Sequence, residues 1–198
     1  SSSEIYGNPK MHPQSEDYEG SVNTSSIRAC YNEGKRIAET LCFDFNRTYD
    51  LDIRIARIFN SYGPRMAAND GRVISNFIVQ AIRGDKITIY GDGSQTRSFC
   101  YVDDMVNGII CLMNSNYQKP INLGHPREYK IKELAKKVKE KINSKLVFEN
   151  TVLPESDPQR RKPNIKLANE ILNWEPKTSL NQGLDKTIDF FKNNFYKF

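Results

Sequence analysis

The chain has 198 residues, of which 38% are hydrophobic, 27% charged and 11% aromatic. At this length a globular chain buries about 70% of the surface its unfolded form exposes, which excludes disordered, collagen-like and coiled-coil readings. No run of about eighteen apolar residues occurs, so no membrane span is expected, and Ser1–Lys10 lacks the charged start and apolar middle of a signal peptide. Cys30, Cys42, Cys100 and Cys111 show no CxxC spacing, which fits a reducing compartment and argues against a disulfide scaffold or zinc site. With only His12 and His125 to supply imidazole, a histidine-rich metal centre is excluded, and no metal is expected. The net charge of +5 is concentrated in Tyr129–Lys145. There Ile131, Leu134, Ala135, Val138 and Ile142 recur at helical spacing and leave the lysines on a solvated face. No aromatic residues interleave with those lysines, so nucleic acid is not an expected partner.

In chain order, strand and helix patterns alternate, which predicts an α/β architecture with a largely parallel sheet. Ser1–Gly7 reads as the end of a buried strand entering a loop that runs through Gly20–Arg28. A helix entering near Ala29 covers Tyr31–Thr48, with Ile37, Ala38, Leu41, Cys42 and Phe45 on one face. Leu51–Phe59 alternates and is isoleucine-rich, a strand closed by a turn at Tyr62–Gly63–Pro64. Val73–Arg83 is an amphipathic helix with Gly84 as its C-terminal cap. Strands at Ile87–Tyr90 and Ser98–Val102 flank the turn Gly91–Asp92–Gly93, and Asp103 is the expected N-cap of a helix over Asp104–Met113. Pro120–Leu123 is a further strand, Phe148–Pro163 a long ordered loop, and Leu184–Phe195 a closing helix. Cys30 and Cys100 read as buried small hydrophobes.

The informative spacing is Tyr31 to Lys35, four apart on a helix and therefore on one face. An unperturbed tyrosine titrates near ~10, and a neighbouring ammonium favours the phenolate, which suits removal of a proton from a sugar hydroxyl. Taken alone, the spacing equally fits an unrelated surface pair.

Context is supplied by SSSEIYG, CYNEGKRIAE, RIARIFNSYGPR, DGRVISNFI, YGDGSQTRSFCYVDD, RKPNI and NWEP, in this order. Together they resemble the extended short-chain dehydrogenase/reductases that act on nucleotide sugars, and among these the UDP-glucuronate decarboxylases, over essentially the whole chain. The resemblance implies the C-terminal part of a Rossmann-type doubly wound parallel sheet with a smaller α/β substrate-binding domain. Residues 1–63 would belong to the NAD-binding domain and 64–198 mainly to the nucleotide-sugar domain, with 101–124 returning to the Rossmann sheet. It also implies NAD as cofactor, Tyr31 as base, Lys35 as the residue that lowers its pKa and holds the nicotinamide ribose, and Ser2 as a partner of the sugar O4. Ser61 and Arg72 would lie on the cofactor side, Asn60, Tyr90, Gln95 and Arg97 on the substrate side. Arg97 ranks first among these as a phosphate ligand.

Ser3 and Glu4 bear on the reaction. Related dehydratases resemble one another in an Asp-Glu pair at this point, where an acid must protonate a departing hydroxyl. This chain has Ser3-Glu4, which suits decarboxylation of a 4-keto acid, since carbon dioxide leaves without that proton. Arg161 resembles an arginine that meets the substrate carboxylate, a task for which a planar guanidinium is well shaped. Plainer alternatives are a surface carboxylate for Glu4 and a solvated basic run for Arg160–Lys162.

A glycine fingerprint for a dinucleotide is missing from the sequence, so the chain resembles a C-terminal piece, expected to be inactive alone. Three readings follow: UDP-glucuronate decarboxylase, another epimerase or 4,6-dehydratase of the superfamily, or a nucleotide-sugar-binding remnant without catalysis. The resemblance further implies a homodimer with a four-helix interface that includes the Tyr31 helix, to which Val73–Arg83 is a second candidate contributor. The residues present read as soluble and cytoplasmic, although some eukaryotic relatives carry an N-terminal membrane anchor.

Overall fold

A computed structural model describes residues 1–142, 147–151 and 160–194. After a 3-10 turn at Ser3–Tyr6 the elements are α1 (Ala29–Tyr49), β1 (Ile55–Ile58), β2 (Ser61–Tyr62), α2 (Val73–Arg83), β3 (Ile87–Tyr90), β4 (Thr96–Ser98) and β5 (Cys100–Tyr101). Then follow α3 (Val102–Met113), β6 (Pro120–Leu123), β7 (Glu128–Lys130), α4 (Ile131–Ile142), β8 (Phe148–Thr151), β9 (Arg160–Arg161), α5 (Lys166–Leu172) and α6 (Leu180–Asn194). The fold is α/β, with β1–β6, β2–β5, β3–β8 and β4–β9 paired in parallel and β4–β7 antiparallel.

On the far side of β1 from β6, Ser2 forms a parallel bridge to Ile58. The ends of these parallel segments, Ser2–Glu4 and Phe59–Ser61, therefore emerge together. In open α/β sheets this is the edge where ligands bind.

Three apolar clusters hold the elements. Helices α2, α4 and α6 pack through Phe77, Ile78, Leu134, Val138, Leu184 and Phe191 against Ile87, Ile89 and Tyr101. Met105 and Leu112 of α3, with Ile121, Leu123, Ala168 and Trp174, cover the β1–β6 pair. Ile5, Tyr6 and Phe59 form the third, beside the site. Helix α2 has the predicted bounds, and Gly84 ends it at φ 79°, a left-handed conformation that glycine adopts without strain.

Several expectations need correction. The start of the chain contributes one bridging residue and then a 3-10 turn, because Ser2 Oγ accepts the Glu4 N–H at 3.3 Å and winds the backbone. Strand β1 begins only at Ile55, Leu51–Arg54 being outside any strand. The two runs flanking Gly91–Gly93 do not pair with each other: β3 takes β8, and the second run splits into β4 and β5 with different partners. Helix α3 starts at Val102 with Tyr101 as its cap and no capping side chain, which places Asp103 in the first turn. Tyr129 and Lys130 belong to β7, ahead of the lysine-faced helix. Of the expected loop Phe148–Pro163, the two ends are β8 and β9, and residues 152–159 lie outside the described residues, as do 143–145 and Phe195 of the expected helices. Cys30 is exposed; Cys100 is buried, which pushes its thiol up to about 12.

Helix α1 departs most from its pattern. Its apolar face is exposed at Ile37, Leu41 and Phe45, while Asn32 and Glu39 are buried. The polar face docks because Glu39 takes a bidentate pair from Arg57 of β1, Nε to Oε1 at 3.0 Å and Nη2 to Oε2 at 2.8 Å. Burial opposes the Arg57 charge, yet the bonds from Glu39 hold its pKa above the ordinary value. Such a pair, broken on one side, costs ~3–5 kcal/mol.

Candidate active site

A cleft of ≈ 630 Å³ opens where the sheet ends meet the start of α1. This lies within the range of small-molecule sites, roughly 300–1,000 Å³. Tyr31 and Lys35 share its wall, with the Lys35 Nζ 5.5 Å from the centroid of the half-exposed Tyr31 ring. The ammonium therefore lies over the ring, in cation–π geometry.

Ser2, Ser3 and Glu4 line the same cleft from the 3-10 turn that packs against α1. Glu4 is buried and its carboxylate is bonded by Arg161 Nη1, and by Arg28 Nη2 at 3.0 Å, both on Oε1. The Asn32 amide, turned so that nitrogen faces Glu4, donates to Oε2 at 3.1 Å. Glu4 thus ties α1 to β9 in the lining of the cleft. The surface-carboxylate alternative does not describe it, and the solvated basic run does not describe Arg161, whose side chain is 4% exposed.

Arg161 donates its second terminal nitrogen to the Gly7 carbonyl at 2.9 Å. Gly7 can turn that carbonyl because it sits at φ 61°, where an added Cβ would lie 2.1 Å from the Ser21 oxygen. The Arg161 Nε is buried and has no partner among the described residues. Burial lowers the Arg161 pKa from its ordinary value in spite of Glu4, and the nearby charges of Arg97 and Arg28 push the same way. Among the described residues, the cleft lining holds Arg28, Lys35, Arg72, Arg97 and Arg161 against the carboxylate of Glu4. That surplus favours an anionic ligand.

Of the other predicted residues, Asn60 lines the cleft between β1 and β2, Ser61 does so at the start of β2, and Arg97 from β4, donating to the Thr96 carbonyl at 2.8 Å. Arg72 lines it from the start of α2, with a largely exposed side chain 3.7 Å from Asp70. Tyr90 and Gln95 are not part of this lining. Tyr90 is exposed at the end of β3, and the buried Gln95 amide donates to the Tyr90 carbonyl at 2.8 Å. Arg28, Asn32, Met66 and Phe99 complete the region without having been singled out from sequence. Arg28 and Asn32 flank Tyr31 at one turn and one residue, so a basic residue three positions ahead of the tyrosine was the available signal.

A family model described as GDP-mannose 4,6 dehydratase matches residues 1–187. The chain is 51% identical over 192 residues to UDP-glucuronic acid decarboxylase 1 of Xenopus tropicalis, covering 97% of this chain and 46% of that protein. It is 55% identical over 192 residues to UDP-glucuronic acid decarboxylase 3 of Arabidopsis thaliana, covering 97% and 56%. The chain thus spans about half the length of the curated relatives it matches. In fold it is similar to the UDP-glucuronic acid 4-epimerase of Bacillus cereus solved with UDP-glucuronic acid and NAD, with a TM-score of 0.88 and 26% identity over 98% of this chain and 60% of that one. With the fold, the Tyr31–Lys35 wall and a match along residues 1–187 in agreement, the chain belongs to the GDP-mannose 4,6-dehydratase family of extended short-chain dehydrogenases/reductases.

Proposed function

We propose that this chain carries the catalytic helix and sugar-acid site of an NAD-dependent decarboxylase that converts UDP-glucuronate to UDP-xylose through a 4-keto intermediate. The observation that carries the reading is the buried Arg161 on the same cleft as Tyr31 and Lys35. The names of the relatives at 51% and 55% identity support it. The likeness to a UDP-glucuronic acid 4-epimerase favours epimerisation as the second reading, at the lower identity of 26%.

The residues present fit the nicotinamide-ribose end of NAD: Lys35 stands over Tyr31 on the cleft wall, with Ser61 and Arg72 on the same cleft. No Gly-x-x-Gly-x-x-Gly run for its pyrophosphate occurs in the sequence. When bound, NAD supplies the hydride acceptor for C4 and returns the hydride at the end. Tyr31, as a phenolate stabilised by the Lys35 ammonium, takes the O4 proton and becomes the phenol, and Ser2 orients the sugar hydroxyl. The product of that oxidation has its carboxylate β to the C4 ketone, so the C5–C6 electron pair passes into an enolate as carbon dioxide leaves. Arg161 orients the carboxylate, and C5 then gains a proton. Ser3 offers no acid for a departing C6 hydroxyl, as dehydration requires. Arg97 is the proposed phosphate ligand and Asn60 a sugar-nucleotide contact.

We assign residues 1–63, together with 101–124, to the cofactor-binding domain and the remainder of 64–198 to the nucleotide-sugar domain. The parallel β1–β6 pairing supports that division. We further propose a homodimer through α1, supported by the exposed stripe Ile37, Leu41 and Phe45. Helix α2 spends its apolar face in the core, so the exposed stripe of α1 is the surface that supports this proposal. No helix among the described residues is long and apolar enough to cross a membrane. A cytoplasmic site for this segment is supported by four free cysteines.

Incubating the sequence, alone and extended upstream in its reading frame, with NAD+ and UDP-glucuronate tests the activity. Mass spectrometry is expected to show the sugar nucleotide losing the mass of carbon dioxide in the extended protein. An isomer of unchanged mass would support the epimerase instead.

A further inference from the structure

Arg161 is held from both sides by the segment that follows the 3-10 turn, residues 7–14. Gln14 is 0% exposed and makes a closed set of bonds to the chain beyond Arg161. Its N–H donates to the Lys162 carbonyl at 2.9 Å, and its side-chain oxygen accepts the Lys162 N–H at 2.9 Å. Its carbonyl accepts from Asn164 N–H at 2.7 Å and from the Asn122 amide at 3.1 Å, and its own amide nitrogen donates to the Met11 carbonyl at 2.6 Å. Gln14 also forms a parallel bridge with Pro163.

On the other side of Arg161, His12 Nε2 lies 2.9 Å from Glu128 Oε2. That carboxylate also accepts from Thr96 Oγ1 at 2.7 Å and from Arg160 Nη2 at 3.4 Å, so it spans β7, β4 and β9. These bonds hold Glu128 below the usual carboxylate range although burial pulls the other way. Gly7, which opens the segment, takes the Arg161 guanidinium itself. One short strap therefore bonds the residue after Arg161 and its side chain, and meets the residue before it through the shared Glu128 carboxylate.

We propose that Gln14 and His12 are positioning residues for Arg161, and that through it they set the preference of the cleft for acidic over neutral sugar nucleotides. The inference rests on the reading that Arg161 meets the sugar carboxylate. Neither residue lines the cleft, so they act only through the guanidinium they place. Displacement of a binding group by ~1 Å is enough to cost about 10²-fold in a preorganised site.

The test is the ratio of affinities for UDP-glucuronate and UDP-glucose, with UDP as reference, measured calorimetrically on the full-length protein with NAD+ present and Tyr31→Phe as the common background that suppresses turnover. Gln14→Met keeps the side-chain length and removes the amide; Gln14→Glu keeps the acceptor for the Lys162 N–H. The expected result is a preference for UDP-glucuronate that falls about tenfold in Gln14→Met, falls less in His12→Ala, returns in Gln14→Glu, and leaves UDP affinity in place. Thermal melts identify folded variants, and if Gln14→Met does not fold, His12→Ala decides. An undiminished preference in folded Gln14→Met or His12→Ala overturns the inference, as does loss of UDP binding in parallel with the acid preference. No preference in the wild type overturns the reading of Arg161 itself.

Discussion

Glu4 and Arg161 stand 157 positions apart in sequence and form a buried ion pair that joins the first turn of the chain to β9 in the lining of the cleft. Because Arg28 and Asn32 bond the same carboxylate, the pair also reaches the start of α1, one turn ahead of Tyr31. Removing one member leaves a buried charge with fewer partners, which costs ~3–5 kcal/mol for a fully buried pair. Arg161→Met is expected to approach that loss in urea denaturation. Combining it with Glu4→Gln is expected to recover part of the loss, a coupling of ~1–3 kcal/mol by double-mutant cycle. Strict additivity would show that the two do not interact.

Tyr31→Phe separates chemistry from folding. The ring is half exposed, so the substitution is expected to change stability by no more than ~0.5 kcal/mol. Loss of a general base lowers turnover by about 10²–10⁴-fold. Single-turnover reduction of bound NAD+ by UDP-glucuronate measures this step, and a normal rate would remove Tyr31 from the mechanism.

His125 gives the protein a pH dependence of known sign. Burial holds its pKa below the ordinary imidazole value, and its Nδ1 accepts the Arg127 N–H at 3.0 Å, which places the proton of the neutral ring on Nε2. The folded pKa is therefore below the unfolded one, near ~6.5, and the unfolded chain binds the extra proton first. The contribution to stability is complete above about pH 6.5 and is lost as pH falls through the lowered folded value. Denaturation midpoints taken between about pH 7.5 and 5.5, above the main carboxylate range, are expected to fall with acidity in the wild type and to fall less in His125→Asn. Equal slopes would contradict this.

The exposed stripe of α1 predicts an oligomer. Leu41→Lys with Phe45→Lys is expected to convert a dimer to a monomer in light scattering, with the cleft residues untouched. A monomeric wild type would mean that a second copy does not cover this face.

Local pattern made much of the fold legible, and long-range pairing set the limit. The bounds of α2, β3 and β6 coincide with their periodic runs because their apolar faces are buried as the pattern demands. Helix α1 was recognisable, but its docking face was not, since it docks through polar bonds, Glu39 to Arg57, Asn32 to Glu4 and Arg36 to the Ile5 and Glu19 carbonyls, while its apolar stripe stays exposed in this chain. Strand β8 carries no alternation to read, all four of its residues being exposed, and its partner β3 lies far away in sequence. In the cleft, helical spacing put Tyr31 and Lys35 on one face, and the surrounding motifs, through resemblance, gave the pair its role. The roles of Ser2, Asn60 and Arg97 came through resemblance, and the Glu4–Arg161 pair and the Gln14 strap required the fold, because neither lies within a local motif.

The most direct test of the central claim is release of labelled carbon dioxide from UDP-glucuronate carrying ¹³C at C6, using the upstream-extended protein with NAD+ in deuterated water. The account predicts ¹³CO₂ together with a pentose nucleotide that has gained one deuterium at C5. Retention of the label in a sugar nucleotide, with NAD+ and substrate both demonstrably bound, would contradict decarboxylation as the function of this cleft.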